Sequence, residues 1–156
     1  MVTASRSDAV ASGAEFLRVL VVEDEHELRE LVRLTVVDQD YLVDFAHDGE
    51  TAFERFRDIS PHLVLLDIGL PGAFGGLDLC NAFGKERTGP FPVILMLTSN
   101  DDARTIRTAR LQGANGYLVK PVSPTQLLGL LDTFDAWRLS SKRPIPEFWP
   151  SKHGGF

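Results

Sequence analysis

Five short apolar runs recur along the chain, and longer stretches with helical spacing separate them. The runs lie at about 17–22, 41–46, 62–66, 91–98 and 116–119. Most of them are nearly continuous in apolar residues, which is typical of strands that are buried on both faces of a parallel sheet. The pattern therefore predicts five strands, each joined to the next by a helix.

The helical stretches are predicted at about 26–38, from 49 to Pro61, 77–86, from 101–102 to 113, and 123–138. In the first of them Leu28, Leu31 and Val32 share one face at three-and-four spacing. Repeated strand–helix units favour an α/β fold in which helices cover both faces of a parallel sheet. We predict a flavodoxin-like, doubly wound (βα)5 sheet with strand order 2-1-3-4-5.

The two ends of the chain differ from this middle part in composition. Residues 1–15 are rich in Ala, Ser and Gly, and 139–156 contain three prolines and a Gly pair. We expect tails at both ends and one domain over 16–138. Phe148 and Trp149 lie beside prolines, as in peptides that dock in grooves, although a tail without a role is the alternative interpretation.

Charged side chains follow three of the predicted strands. Glu23 and Asp24 come after the first strand, Asp67 after the third and Lys120 after the fifth. Because ligands of parallel sheets bind beyond the carboxyl ends of the strands, we expect these groups to share one cleft. Clustered carboxylates repel one another unless a cation joins them, and hard oxygen ligands suit Mg²⁺. Glu23–Glu25 taken alone would also fit a cluster at a helix N-terminus.

Composition excludes several classes of protein. The net charge of −6 argues against a nucleic-acid surface, which needs clustered Lys and Arg. The single cysteine, Cys80, rules out a disulfide framework and a Cys-rich zinc site, and we expect it to be a packed core or edge residue and not a nucleophile. An apolar signal segment and a membrane-length apolar stretch are both lacking, so we expect a cytoplasmic protein.

Four segments carry a resemblance to a known family. They are 19–25, 65–72, 96–99 and 113–121. In this order and at these strand ends they resemble the receiver domain of two-component response regulators, including the chemotaxis receivers. The resemblance covers roughly residues 16–138.

The resemblance implies a role for each residue of the cleft. Asp67 matches the phosphoacceptor, Asp24 a direct Mg²⁺ ligand, Glu23 a ligand acting partly through water, and Gly69 a ligand through its backbone carbonyl. Lys120 would pair with the phosphoryl oxygens and the Thr98 hydroxyl would bond one of them. An aspartate carboxylate can attack phosphorus, and phosphoryl transfer needs mainly positioning and charge neutralisation.

The resemblance also implies a switch. Thr98 would move toward the phosphoryl group and Tyr117 would rotate inward, altering the face of the fourth helix, fifth strand and fifth helix. The Lys120–Pro121 bond would be cis. The expected partners are a histidine kinase or phosphotransfer protein and a downstream protein, with no direct contact to nucleic acid or membrane. The chain would be a monomer or a weak dimer through that face, and not an enzyme beyond its own phosphorylation and dephosphorylation.

Two departures from the family pattern concern the loop and the position two residues past Asp67. The loop over 72–76 is one residue longer than usual, so we expect altered access to the phosphoryl group. Gly69 is smaller than the usual residue, and together with Asn100 it is expected to tune phosphate lifetime. We hypothesise that Gly69 leaves the path of an attacking water open.

Several alternatives and minor residues complete the prediction. There are two main alternatives, an interaction module that works without phosphorylation and a flavodoxin-like cofactor binder. A haloacid-type phosphatase fits less well, because Glu23–Glu25 lacks the paired aspartates that such an enzyme uses. A receiver of this length would act alone or come from a larger protein. His26 and His47 are expected in solvent, and so is the row Arg104, Arg107 and Arg110, unless that row reads an acidic partner.

Overall fold

The structure is a computed structural model that describes residues 15–99 and 102–140. The predictions for residues 1–14, Asn100, Asp101 and 141–156 lie outside the described residues. The strands are β1 Leu17–Val22, β2 Tyr41–Ala46, β3 Leu63–Asp67, β4 Val93–Thr98 and β5 Gly116–Val119. The helices are α1 His26–Val36, α2 Gly49–Ile59, α3 Gly76–Lys85, α4 Ala103–Leu111 and α5 Pro124–Leu139.

The five strands form one parallel sheet in the order β2-β1-β3-β4-β5. This confirms the predicted fold class and strand order. In the register of the sheet, Val22 lies beside Leu66 and Asp67 lies beside Leu97. The ends of β1, β3 and β4 are therefore level with one another. As a result, the residues that follow these strands meet at the carboxyl edge of the sheet.

The hydrophobic core lies in two layers, one on each face of the sheet. Val19 and Leu65 belong to the layer covered by α1 and α5. Leu20 and Leu66 belong to the layer covered by α2, α3 and α4. Because both faces of the central strands are buried, their sequences are apolar throughout instead of alternating. Cys80 lies fully buried in the second layer, as predicted, and burial raises the pKa of its thiol to about 11.

Three of the helices begin with a side-chain cap. The carboxylates of Asp48 and Asp102 accept hydrogen bonds from the amides of residues three positions on, and the hydroxyl of Ser123 does the same for α5. Predicted boundaries shift by at most two residues. β4 begins at Val93 and not at 91, because Pro92 has no amide hydrogen to add to the ladder.

Within the described residues, no helix combines the length and apolar character required to cross a bilayer. The Lys120–Pro121 peptide bond is cis, as the resemblance implies, and Phe91–Pro92 is a second cis bond.

Candidate functional site

Three carboxylates meet at the carboxyl edge of the sheet. Glu23 follows the last residue of β1, Asp24 comes next, and Asp67 is the last residue of β3. One oxygen from each of the three lies within 4.8 Å of the other two. Glu23 and Asp67 are buried, whereas Asp24 is exposed. The sequence prediction that these acids share one cleft is thus realised in the fold.

Lys120 reaches the same cleft from β5, two strands away from β3. Its ammonium nitrogen lies 2.8 Å from Glu23 Oε2 and 3.4 Å from Asp67 Oδ1. The backbone of Lys120 is fixed to the neighbouring strand, because its amide donates to the Thr98 carbonyl over 2.8 Å. Burial works to lower the pKa of Lys120, but the two carboxylates outweigh it and raise that pKa above its ordinary value.

Glu23 is the most deeply buried acid of the group. Burial raises its pKa to about 7, although the Lys120 ammonium and the amide of Glu25 both favour the charged form. Its Oε1 accepts a hydrogen bond from the Glu25 amide, and its Oε2 has no hydrogen-bond partner among the described residues. The Lys120 ammonium, 2.8 Å from Oε2, therefore forms an ion pair whose geometry falls short of a hydrogen bond.

The charge balance of the cleft is unequal. Three carboxylates face one ammonium, and one buried carboxylate oxygen lacks a hydrogen bond. A buried carboxylate is costly unless it is paired or coordinates a metal. The donor set is made of hard oxygens with a partly solvated entrance at Asp24, and this is the chemistry that a divalent cation such as Mg²⁺ prefers.

The Asp67 carboxylate is held by the backbone two residues further along the chain. Its Oδ1 accepts a hydrogen bond from the Gly69 amide over 2.9 Å. A Cβ on Gly69 would stand 3.5 Å from that same oxygen, which is an ordinary contact. By contrast, a Cβ on Gly76 would come within 2.0 Å of the Asp67 carbonyl oxygen. The start of α3 therefore packs directly on the backbone of Asp67, and only glycine fits there.

Arg29 contacts the acidic turn from the first half of α1. Its Nη1 donates to the backbone carbonyls of Glu23 and Asp24, both over 2.8 Å. Sequence reasoning missed Arg29 and Gly76, since neither carries chemistry by itself. Arg29 could have been found from its position on the first predicted helix, six residues after Glu23 and five after Asp24. Gly76 could have been found as a glycine at the first position of a helix.

Thr98 and Tyr117 lie next to the cleft on adjacent strands. Thr98 is buried at the end of β4. Tyr117 is half-buried, lies beside Met96 in the register and packs against the core layer beneath α2, α3 and α4. Thr98 and Tyr117 therefore lie between the cleft and the surface formed by α4 and β5.

The glycine-rich loop after β3 leans on α2. Phe74 is 51% exposed, yet its ring packs edge-on against Phe53 with centroids 5.8 Å apart. A Cβ on Gly49 would lie 2.9 Å from the Cβ of Phe74, so the loop sits closely over the start of α2. The glycine-rich loop is thus anchored on the start of α2.

The other residues singled out by sequence lie away from the cleft chemistry. His26 and His47 are exposed, as predicted, and so are Arg104, Arg107 and Arg110. His62 differs, because it is buried and its Nδ1 accepts a hydrogen bond from the Arg18 amide. No pattern in the sequence points to this partner.

Comparisons with known proteins agree with one another. Residues 19–132 of this chain match the family of response regulator receiver domains. The chain is 40% identical to the alkaline phosphatase synthesis transcriptional regulatory protein SphR of Synechococcus elongatus, over 71% of this chain and 46% of that protein. It is 32% identical to the DNA-binding response regulator MtrA of Mycobacterium tuberculosis, over 71% of this chain and 47% of that protein. The chain spans about half the length of these curated relatives.

Solved structures give the same fold. The chemotaxis protein CheY4 of Vibrio cholerae superposes with a TM-score of 0.70 at 29% identity, covering 77% of this chain and 99% of that chain. A response regulator from Chloroflexus aurantiacus gives 0.65 at 30% identity, covering 78% and 99%.

Proposed function

The chain belongs to the response regulator receiver domain family, and on this premise we propose that it accepts a phosphoryl group on Asp67 and thereby switches a protein-binding face. A histidine kinase or a phosphotransfer protein would supply the group. The observation that carries the proposal is the meeting of Asp67 with two further carboxylates and the Lys120 ammonium in one cleft. Such a cleft can bind a dication and stabilise a transferred phosphoryl group.

Each residue of the cleft has a proposed role. An oxygen of Asp67 forms the new bond to phosphorus while the bond from phosphorus to the donor's leaving group breaks. Asp24, Glu23, Asp67 and the Gly69 carbonyl would hold Mg²⁺, which neutralises charge on the phosphoryl oxygens when bound. Lys120 pairs with one phosphoryl oxygen and the Thr98 hydroxyl donates to another. Its own phosphorylation and the hydrolysis of the product are the only catalysis we assign to the chain.

The output follows from the position of Thr98 and Tyr117. A phosphoryl group adds negative charge that draws the Thr98 hydroxyl, and Tyr117 turns inward as the space behind it opens. The equilibrium between two arrangements of α4, β5 and α5 then shifts. We propose that a downstream protein, or a second copy bound weakly, reads this face in the cytoplasm. The net charge of −6 favours protein over nucleic acid as the partner of this domain.

The direct test is phosphorylation by a small phosphodonor such as acetyl phosphate with Mg²⁺, followed by intact mass measurement. We expect one acid-stable, alkali-labile phosphoryl group on the wild-type protein and none on Asp67→Asn. Asp58→Asn, an exposed carboxylate at the end of α2, is the matched control and should be labelled normally. Unlabelled wild-type protein that nevertheless binds a partner would favour an interaction module that works without phosphorylation. Label retained on Asp67→Asn would exclude Asp67 as the acceptor.

A further inference from the structure

We infer that Arg29 is a positioning residue for the cation site, because it fixes the turn that aims the Asp24 carboxylate. This inference rests on the proposed function and concerns a residue that touches neither the phosphoryl group nor the cation. Glu23, Asp67 and Asp24 are held in different ways, and this difference carries the inference.

Two of the three acids are held through their own side chains. Glu23 is buried, accepts from the Glu25 amide and pairs with Lys120. Asp67 is buried and accepts from the Gly69 amide. The Asp67 carboxylate would keep its place if the turn after β1 moved slightly, and the Glu23 carboxylate would keep its pairing with Lys120.

Asp24 is held only through its backbone. It is exposed, and among the described residues the hydrogen bond that reaches it comes to its carbonyl oxygen and not to its carboxylate. The direction of this carboxylate therefore depends on the orientation of the peptide groups around it. A ligand of this kind loses its geometry when its backbone is released.

Arg29 controls those peptide groups. The two hydrogens of one guanidinium nitrogen, Nη1, are shared between the carbonyls of Glu23 and Asp24, each 2.8 Å away. A guanidinium is planar and always charged, so this contact holds two successive carbonyls at fixed angles. Because Arg29 lies on α1, the contact ties the turn to a helix that packs on the core through Leu28 and Val32.

A different role for Arg29 predicts the opposite result. If Arg29 acted only through its charge, removing it would make the cleft more negative and tighten cation binding. If it acts by positioning Asp24, removing it weakens cation binding in spite of the lost positive charge. The sign of the change in affinity therefore separates the two roles. If Arg29 bonded the two carbonyls only to stabilise the fold, Arg29→Ala would lower the free energy of unfolding and leave the Mg²⁺ affinity of the folded protein unchanged.

The experiment is a Mg²⁺ titration of the full chain at fixed ionic strength, followed by the backbone amide shifts in NMR. We expect Arg29→Ala to weaken binding by about tenfold, as loss of a group supporting a metal ligand commonly does. Arg29→Lys keeps the charge and one donor, and it should lose less. Arg33→Ala is the matched control, since Arg33 is an exposed residue of the same helix that pairs with Glu30. It should bind Mg²⁺ within about twofold of wild type, as independent surface sites do.

A double-mutant cycle with Asp24→Asn completes the test. If Arg29 acts through Asp24, Arg29→Ala should change the affinity by less than about twofold once the carboxylate is gone. Unchanged or tighter Mg²⁺ binding in Arg29→Ala overturns the inference, and so does full additivity with Asp24→Asn. If Arg29→Ala does not fold, unchanged affinity in Arg29→Lys and Arg29→Gln overturns it instead.

Failure of the proposed function would look different. In that case Asp24→Asn and Asp67→Asn would themselves leave Mg²⁺ binding unchanged, and the wild-type protein would take no phosphoryl group. Weakened binding in both acid variants with no effect of Arg29 would leave the proposed function intact and remove only the role of Arg29.

Discussion

At the amino ends of the strands Arg87 finds three acceptors, whereas at the carboxyl ends the Lys120 ammonium pairs with two of three clustered carboxylates. Arg87 donates to the Pro92 and Gly113 carbonyls over 2.9 and 2.8 Å and to Asn115 Oδ1 over 2.6 Å. Asn115 Oδ1 also accepts from the Ile94 amide over 2.9 Å. Arg87 and Asn115 are half-buried and bonded to each other and to the backbone, whereas Glu23 and Asp67 are buried in a cleft with surplus negative charge.

The difference shows where stability and function lie in this fold. The half-buried network of Arg87 and Asn115 ties the starts of β4 and β5 together and strengthens the folded state. A surplus of buried negative charge weakens the folded state and is relieved when a cation binds. Substitutions at the amino edge should therefore change stability and leave the cleft intact, and those at the carboxyl edge should do the reverse.

Gly76→Ala should have the largest effect, because it should change both the stability of the fold and the cation affinity of the cleft. A Cβ there would stand 2.0 Å from the Asp67 carbonyl oxygen, so the backbone of the cleft must move. We expect a loss of about 3 kcal/mol or more in unfolding free energy, measured by urea denaturation, together with weakened Mg²⁺ binding.

Gly129→Ala is the matched control, since Gly129 lies in α5 with nothing within 4 Å of an added Cβ. It should stabilise the protein by about 0.5–1 kcal/mol, as glycine replacement in a helix does. An equal effect of the two substitutions would contradict the close packing of α3 on Asp67.

Arg87→Met should be the next largest change and should act on stability alone. It leaves the Pro92 and Gly113 carbonyls without the guanidinium and keeps most of the side-chain volume. We expect a loss of about 3 kcal/mol by urea denaturation with Mg²⁺ affinity unchanged. Arg107→Met on the exposed face of α4 should cost almost nothing. A large change in Mg²⁺ affinity on Arg87→Met would show that the two edges are coupled.

The pH dependence of stability should differ in sign between the edges. Burial, with smaller contributions from Arg18 and Arg138, lowers the pKa of His62 to about 4. This imidazole binds protons more readily in the unfolded chain than in the folded one. Its contribution to stability is complete above the unfolded pKa of about 6.5 and is lost as the pH falls through 4, with a loss of about 2 kcal/mol by pH 5.

Glu23 acts in the opposite direction when no divalent cation is bound. Because its folded pKa is raised to about 7, its contribution to stability is complete below its unfolded pKa and is lost as the pH rises through 7. Urea denaturation in EDTA between pH 7 and 5 measures the contributions of His62 and Glu23 to stability. His62→Gln should remove the loss on acidification and His47→Gln, at an exposed site, should not. Parallel curves for wild type and His62→Gln would refute the assignment.

Mg²⁺ itself should give the smallest effect. At ten times its dissociation constant it should stabilise the wild-type protein by about 1.4 kcal/mol, since only the folded chain assembles the cleft. The stabilisation should persist in Arg87→Met and fall sharply in Asp24→Asn, as followed by thermal denaturation with and without EDTA. Equal stabilisation of Asp24→Asn would place the cation elsewhere.

The sequence by itself determined the architecture and the main residues of the cleft. Apolar runs such as 63–66 are buried on both faces, and that requirement is written in the composition of each run. Rules of connection and handedness leave few topologies for five parallel strands, and the flavodoxin-like order is a common one among them. Once the order was known, the acids after β1 and β3 had to meet, because the ends of adjacent parallel strands coincide.

Only the tertiary structure decided the contacts that hold those residues in place. The contact of Arg29 with two carbonyls, the Arg18 amide that faces His62 and the fit of Gly76 against Asp67 all involve backbone atoms. Every residue carries the same backbone groups, so side-chain identity alone does not indicate which carbonyl or amide will face a given side chain. That depends on the relative placement of α1, α3 and the strands to within an ångström, which packing of the whole chain sets.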